Sequence, residues 1–138
     1  MGKRKILIVD DDPDVRHGMY VRLKANDYDI CFAVDGLSSM AEARVHQPDL
    51  ILLDLGLPAG DGFVVIERLK AIPSLAVIPI IVVSARAGRD NHVRALKAGA
   101  KAFLQKPVDN DELLAVIRQA LGEPGNAENS LVYDIGNL

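Results

Sequence analysis

Five short apolar runs divide the chain: "KILIV" (5–9), "DICFAV" (29–34), "LILLD" (50–54), "IPIIVVS" (78–84) and "AFLQ" (102–105). Three of them are nearly continuous rather than alternating. Side chains of a strand point to opposite faces in turn, so a continuous apolar run must be covered on both sides. Helical spacing fills the gaps between the runs. Val15, Met19 and Leu23 recur at i, i+4 and i+8, with Pro13 suited to a first turn. "LSSMAEARVH" follows the second run, and Phe63, Ile66 and Leu69 mark a third helix that ends before Pro73. "RDNHVRALKAG" stops at Gly99, and "DNDELLAVIRQALG" opens on Asp109 as N-cap, with Glu112 three residues on, and closes at Gly122. Five β-then-α units in succession predict one α/β doubly wound domain, with right-handed crossovers placing helices on both faces of a parallel sheet.

The totals agree with one domain. A chain of 138 residues with 49% hydrophobic and 25% charged residues buries roughly two-thirds of its unfolded surface without a staple. The net charge of −3 speaks against a nucleic-acid surface, which needs a basic stripe. Cys31 alone makes no internal disulfide and suits a reducing, cytoplasmic setting. The start "MGKRKILIVDDD" is too short in apolar residues for a signal peptide and lacks the Ser or Thr of a myristoylation site. No apolar run reaches the roughly 20 residues that span a membrane. Composition changes after residue 122. "EPGNAENSLVYDIGNL" (123–138) is polar, then ends in an apolar patch from Leu131 to Ile135. The expected division is a domain over 1–122 followed by a tail, a linker to an absent effector domain, or a segment that docks back.

The polar residues fall at one edge. "ILIVDDDPDVR" (6–16) runs four apolar residues into Asp10, Asp11 and Asp12, although carboxylates about 4 Å apart repel by roughly 1 kcal/mol in water and about 4 kcal/mol at an effective dielectric near 20. Asp10 and Asp11 follow the first strand, Asp54 ends the third, Ser84 ends the fourth and Lys106 follows the fifth. That carboxyl edge is where open α/β sheets hold their crevice. Any one of these residues is most simply a helix cap or a solvated charge, and Asp12 and Asp14 fit that role at the positive end of the first helix. Five converging residues ask for more. Three carboxylates want a hard cation, Mg²⁺ or Mn²⁺. A lysine and a hydroxyl opposite it are the donors a phosphoryl group needs. Mg²⁺ does not require a third aspartate, so Asp54 is a candidate nucleophile of aspartyl-phosphate chemistry, with Lys106 offsetting charge during in-line transfer.

"KILIVDDDPDVR", "PDLILLDLGLPAGDG", "IPIIVVSA" and "GAKAFLQKPV", in this order and spacing, resemble the receiver domain of bacterial two-component response regulators over about residues 4–122. The resemblance implies a flavodoxin-like sheet of order 2-1-3-4-5. It implies that Asp54 accepts a phosphoryl group from a sensor histidine kinase or phosphotransfer protein. Asp10 and Asp11 would hold Mg²⁺, Asp11 more directly, with Asp54 and the Gly56 backbone carbonyl. Ser84 would be the switch hydroxyl, Lys106 the phosphoryl-pairing lysine, and Phe103 the aromatic switch that turns inward on activation. A cis bond between Lys106 and Pro107 is expected. The face of the fourth helix, fifth strand and fifth helix would then change its affinity for a partner or an effector domain, with a phosphorylation-dependent homodimer as one outcome. Such a domain is a signalling module, catalysing only its own phosphoryl transfer and dephosphorylation.

Some positions depart from the commonest family pattern. Leu57 stands for the usual Met, and Phe103 lacks a tyrosine's hydroxyl. Lys101 replaces an acidic residue common in DNA-binding members, which puts one familiar dimer in question. Arg86 and Gly56 occupy positions that tune phosphoryl lifetime. Rival readings fare worse. A phosphatase of the haloacid-dehalogenase type could use Asp10 and Asp12, but the chain is short for it and no later acidic pair follows a fourth strand. A flavin carrier would meet an acidic crevice. A receiver-like module that works without phosphorylation would not need Asp54, Ser84 and Lys106 together. His17, His46 and His92 read as surface or partly buried, and Cys31 as a buried strand residue. Val64, Val65 and Ile66 read as core. Leu113, Leu114, Val116 and Ile117 cover more than one helical face and hint at a partner surface.

Overall fold

The structure, a computed structural model, describes residues 2–57, 61–86 and 88–124. Its strands are β1 (Lys5–Val9), β2 (Asp29–Ala33), β3 (Leu50–Leu53), β4 (Ile80–Ser84) and β5 (Ala102–Gln105). Its helices are α1 (Pro13–Ala25), α2 (Gly36–His46), α3 (Gly62–Ala71), α4 (Pro73–Ala76), α5 (Arg89–Ala98) and α6 (Asn110–Leu121). All strand pairings are parallel, in the order β2-β1-β3-β4-β5, the flavodoxin-like order the resemblance implied.

Alternation along the strands builds two cores. Leu7, Val9, Ile51, Leu53, Ile80 and Val82 face one side, with Ala43 of α2, Phe63 and Ile66 of α3 and Ala95 of α5. Ile6, Ile8, Leu50, Leu52, Ile81 and Val83 face the other, with Met19 and Leu23 of α1 and Leu113 and Ile117 of α6. This is why the runs are apolar at every position: both faces are roofed. Full burial of each such side chain contributes about 1.5–3 kcal/mol relative to exposure.

Local signals set the boundaries. Asp12 caps α1 by accepting from the amides of Asp14 at 2.9 Å and Val15 at 3.4 Å, as a neighbour of the acidic pair placed at a helix start should. Asp109 caps α6 by accepting from the Glu112 amide at 3.0 Å. Gly99 and Gly122 end α5 and α6. β4 starts after Pro79, which has no N–H to donate, although its carbonyl still accepts from the Ile51 amide at 3.0 Å. Gly62 is needed for space: a Cβ there would stand 2.6 Å from the Leu55 Cα, so a side chain would push α3 off the loop after β3.

The third helix ends at Ala71, before Pro73 as expected, and proline at the first helical position then starts an extra turn, α4. Two expectations need correction. Val64 is exposed, while Val65 and Ile66 are buried. The apolar excess of the last helix is no partner surface, since Leu113, Leu114, Val116 and Ile117 are all buried. α1 buries only Met19 and Leu23, so α6 must roof most of its face with a broad stripe. The apolar patch from Leu131 to Ile135 lies outside the described residues. Among the described residues no helix is long and apolar enough to cross a membrane.

Candidate functional site

The backbone ladder continues just past the strand ends and fixes the polar residues there. The Asp10 amide donates to the Ala33 carbonyl at 3.1 Å, Asp54 to Val9 at 2.9 Å and Lys106 to Ser84 at 2.9 Å. Each side chain therefore leaves a braced main chain at the carboxyl edge of the sheet. Carboxylate oxygens of Asp10, Asp11 and Asp54 come within 4.8 Å of one another. Asp10 is 2% exposed and Asp54 9%, whereas Asp11 is open to solvent.

Lys106 answers the repulsion. Its Nζ donates to Asp10 Oδ2 at 2.7 Å and stands 3.6 Å from Asp54 Oδ2. Burial pulls its ammonium pKa down, but the hydrogen bond to Asp10 and the charges of Asp10 and Asp54 outweigh that, and the pKa is raised. Backbone donors complete the set. The Asp12 amide donates to Asp10 Oδ1 at 2.9 Å and the Gly56 amide to Asp54 Oδ1 at 3.2 Å. Ser84, 1% exposed, accepts from the Arg86 amide on Oγ at 3.2 Å.

The structure thus joins Asp10, Asp11, Asp54 and Lys106 in one cluster and sets Ser84 on the strand end beside it. Gly56 lies near Asp54: a Cβ there would sit 3.9 Å from both of its carboxylate oxygens. Phe103 is not part of the cluster. It is half-buried on β5, against the core that α5 roofs. The bond between Lys106 and Pro107 is cis. His17 is exposed and His46 pairs with Glu42 at 3.1 Å. Burial pushes the Cys31 thiol up to about 11, far from a reactive thiolate.

Two residues at the site went unremarked in the sequence. Arg16 Nη1 donates to the Asp10 carbonyl at 2.8 Å, bracing the acidic loop from α1. Asp61 caps α3 by accepting from the Phe63 amide at 2.9 Å and stands 3.9 Å from Arg86 across the mouth of the site. An aspartate just before a helical run is a cap signal, whereas the contact with Arg86 depends on tertiary placement.

The cluster suits a hard cation. Its donors are all oxygens, and the exposed Asp11 leaves a coordination side open to water, as Mg²⁺ prefers. These three carboxylates could hold a metal.

Comparison with known proteins gives the class. The family model "Response regulator receiver domain" matches residues 6–118, and the chain belongs to that family. It is 38% identical over 138 residues to "DNA-binding dual master transcriptional regulator RpaA" of Synechocystis, covering 97% of this chain and 57% of that protein. It is 39% identical over 115 residues to "Response regulator PleD" of Caulobacter vibrioides, covering 83% and 25%. The chain therefore spans little more than half of one relative and a quarter of the other. Among solved structures, a CheY-like response regulator receiver domain from Methanospirillum hungatei superposes with a TM-score of 0.80 at 30% identity, covering 88% of this chain and 95% of that one. The receiver domain of sensor histidine kinase PA1611 from Pseudomonas aeruginosa, with a magnesium ion in its active-site cleft, gives 0.81 at 27% identity, covering 88% and 100%.

Proposed function

We propose that Asp54 is the phosphoacceptor of this receiver domain and that phosphorylation there is its signal. The observation that carries this reading is the Lys106 ammonium set between Asp10 and Asp54, 2.7 and 3.6 Å from their oxygens, with Asp11 completing the acidic cluster. An Asp54 oxygen attacks phosphorus, the bond to a histidine nitrogen of a kinase or phosphotransfer protein breaks, and the leaving nitrogen takes up a proton. Lys106 offsets charge on the equatorial oxygens. Asp10, Asp11, Asp54 and the Gly56 carbonyl would hold Mg²⁺, or Mn²⁺ in its place, which supplies a divalent charge to the transferring group.

The aspartyl phosphate adds charge and three acceptor oxygens. The Ser84 hydroxyl has a proton to donate to one of them, and Lys106 pairs with another. Ser84 moving in draws the loop after β4, and Phe103 follows into the space. The α5–β5–α6 face then changes its affinity for a partner. We assign the receiver to residues 1–122 and a tail or linker role to 123–138. The output is a downstream protein or an effector domain beyond this chain, in the cytoplasm, with no nucleic acid bound by the receiver itself. Relatives named as transcriptional regulators fit such a division, and phosphorylation-dependent pairing of two receivers is one way to drive it.

The test is acetyl phosphate with Mg²⁺, read by intact mass. The wild type should gain one phosphoryl group and Asp54→Asn none, with chelation of the metal stopping the gain. Label that persists in Asp54→Asn but vanishes in Asp10→Asn would move the nucleophile to strand β1 and overturn the assignment.

A further inference from the structure

The Phe103 ring, whose movement the proposed switch requires, is held by a second ring. β4 and β5 pair Val82 with Phe103, and Ser84 lies two residues beyond Val82. Ser84 and Phe103 therefore point to the same sheet face, the one that α5 roofs. From α5 the His92 imidazole lies against the Phe103 ring, with centroids 5.1 Å apart and planes inclined by 15°. Stacked rings at this separation attract beyond their buried area. The contact also carries a cost. His92 Nε2 is buried and makes no hydrogen bond to the described residues, although buried polar atoms are almost always partnered.

We propose that His92 is a latch: a positioning residue whose ring holds Phe103 in its present place and so couples α5 to the state of Asp54. This rests on the phosphoacceptor reading above. A contact made in one of two states biases the equilibrium toward that state by its differential free energy. By reciprocity it opposes any ligand that favours the other state. The stack favours the latched state, and the unpaired nitrogen works against it. The stack is the larger of the two, so the contact is a net latch, and the unpaired nitrogen keeps it weak enough for a phosphoryl group to overcome.

The probe is beryllium fluoride with Mg²⁺, titrated against the full chain. His92→Ala removes the stack and should bind roughly two- to tenfold more tightly than wild type. His92→Phe keeps the stack and removes the unpaired nitrogen, so it should bind more weakly than wild type. A residue that only fills space produces no such order around the wild type. In a Phe103→Ala background the two His92 substitutions should lose their effects, because the partner ring is gone. Unchanged or weaker binding by His92→Ala, equal binding by the Ala and Phe variants, or effects that survive Phe103→Ala would each overturn the latch. Should His92→Ala not fold, His92→Phe decides alone: weaker binding supports the latch, and equal or tighter binding ends it. A wild type that ignores beryllium fluoride and Mg²⁺ is a failure of the phosphoacceptor reading. The latch is then decided by aromatic NMR of Phe103 in the free proteins. A second ring environment appearing in His92→Ala, or in His92→Phe a loss of one seen in wild type, supports it, and identical ring populations overturn it.

Discussion

The two helices that flank the edge strand β5 are attached in different ways. α6 buries Leu113, Leu114, Val116 and Ile117. It is capped by the Asp109 carboxylate at its start and by Gly122 in a left-handed turn at its end. Asp111 and Glu112 add negative charge where the helix dipole favours it. α5 buries Ala95 alone and has no side-chain N-cap, since Gly88 stands there at φ 114°. Rings and charges hold it instead: Arg94 lies 3.9 Å over the Phe63 ring of α3, and His92 stacks on Phe103. Apolar burial is non-directional and adds up with area. Ring contacts are few, local and worth about 0.5–1.5 kcal/mol each. One helix is fixed to the domain and the other is fastened at points that can be released one at a time. A helix with little buried apolar surface belongs to the low-stability end of a fold, where moving parts are found.

The contrast is broken most directly by truncation. Ile117→Ala removes a fully buried side chain and should destabilise by about 2–5 kcal/mol. Val93→Ala on α5 removes one that is 38% exposed and should cost less than about 1 kcal/mol. Urea unfolding of both variants measures the pair, and equal costs would show that α5 is anchored as firmly as α6. Native-state hydrogen exchange sharpens the same point without mutation. Amides of α5 should exchange at least roughly tenfold faster than those in the middle of α6, a difference of about 1.4 kcal/mol in opening free energy. Mg²⁺ with beryllium fluoride should change the rates of α5 more than those of α6. Matching protection in the two helices would refute the idea that α5 is the moving element.

The sheet was legible in the sequence because strands roofed on both faces must be apolar throughout, as short runs such as "LILL" (50–53) are. The acidic cluster was legible because Asp10, Asp11 and Asp54 follow or end strands at the same carboxyl edge, where a parallel sheet brings them together, and Lys106 falls at that edge too. What escaped was whatever depends on how much surface the neighbours leave. The breadth of the apolar stripe on α6 suggested a partner, yet it reflects how little α1 covers. His92 reads as surface or partly buried and is partly buried, but nothing in its local sequence shows that an aromatic ring of β5 lies beneath it. The link from Arg86 to Asp61 joins two loops 25 residues apart, beyond the reach of any local pattern.

The smallest effect concerns the far end of α6. Tyr28, 4% exposed, donates its hydroxyl to Glu123 Oε1 at 2.6 Å, tying the loop after α1 to the residue just beyond the helix cap. Burial first, then the hydrogen bond to Glu123 and its charge, raise the phenol pKa, and nearby Arg118 only partly opposes them. The sign follows from linkage. Below about pH 10, the ordinary tyrosine pKa, folded and unfolded chains both keep the proton and the contribution is whole. Above it the unfolded chain ionises first, so stability falls as pH rises. Lys106 acts in the same direction, because its raised pKa favours the folded ammonium beyond the range in which the unfolded lysine deprotonates. The two are separated by substitution. At neutral pH, Tyr28→Phe should cost about 1 kcal/mol for the lost hydrogen bond. Above pH 10 the gap to wild type should narrow, as the variant lacks the tyrosine's share of the alkaline slope. Hydrogen exchange should then quicken at the last turn of α6 and stay unchanged in α5. Equal quickening in both helices would mean that the fixed and the releasable helix open together, and that the ring contacts of α5 do not set its stability apart.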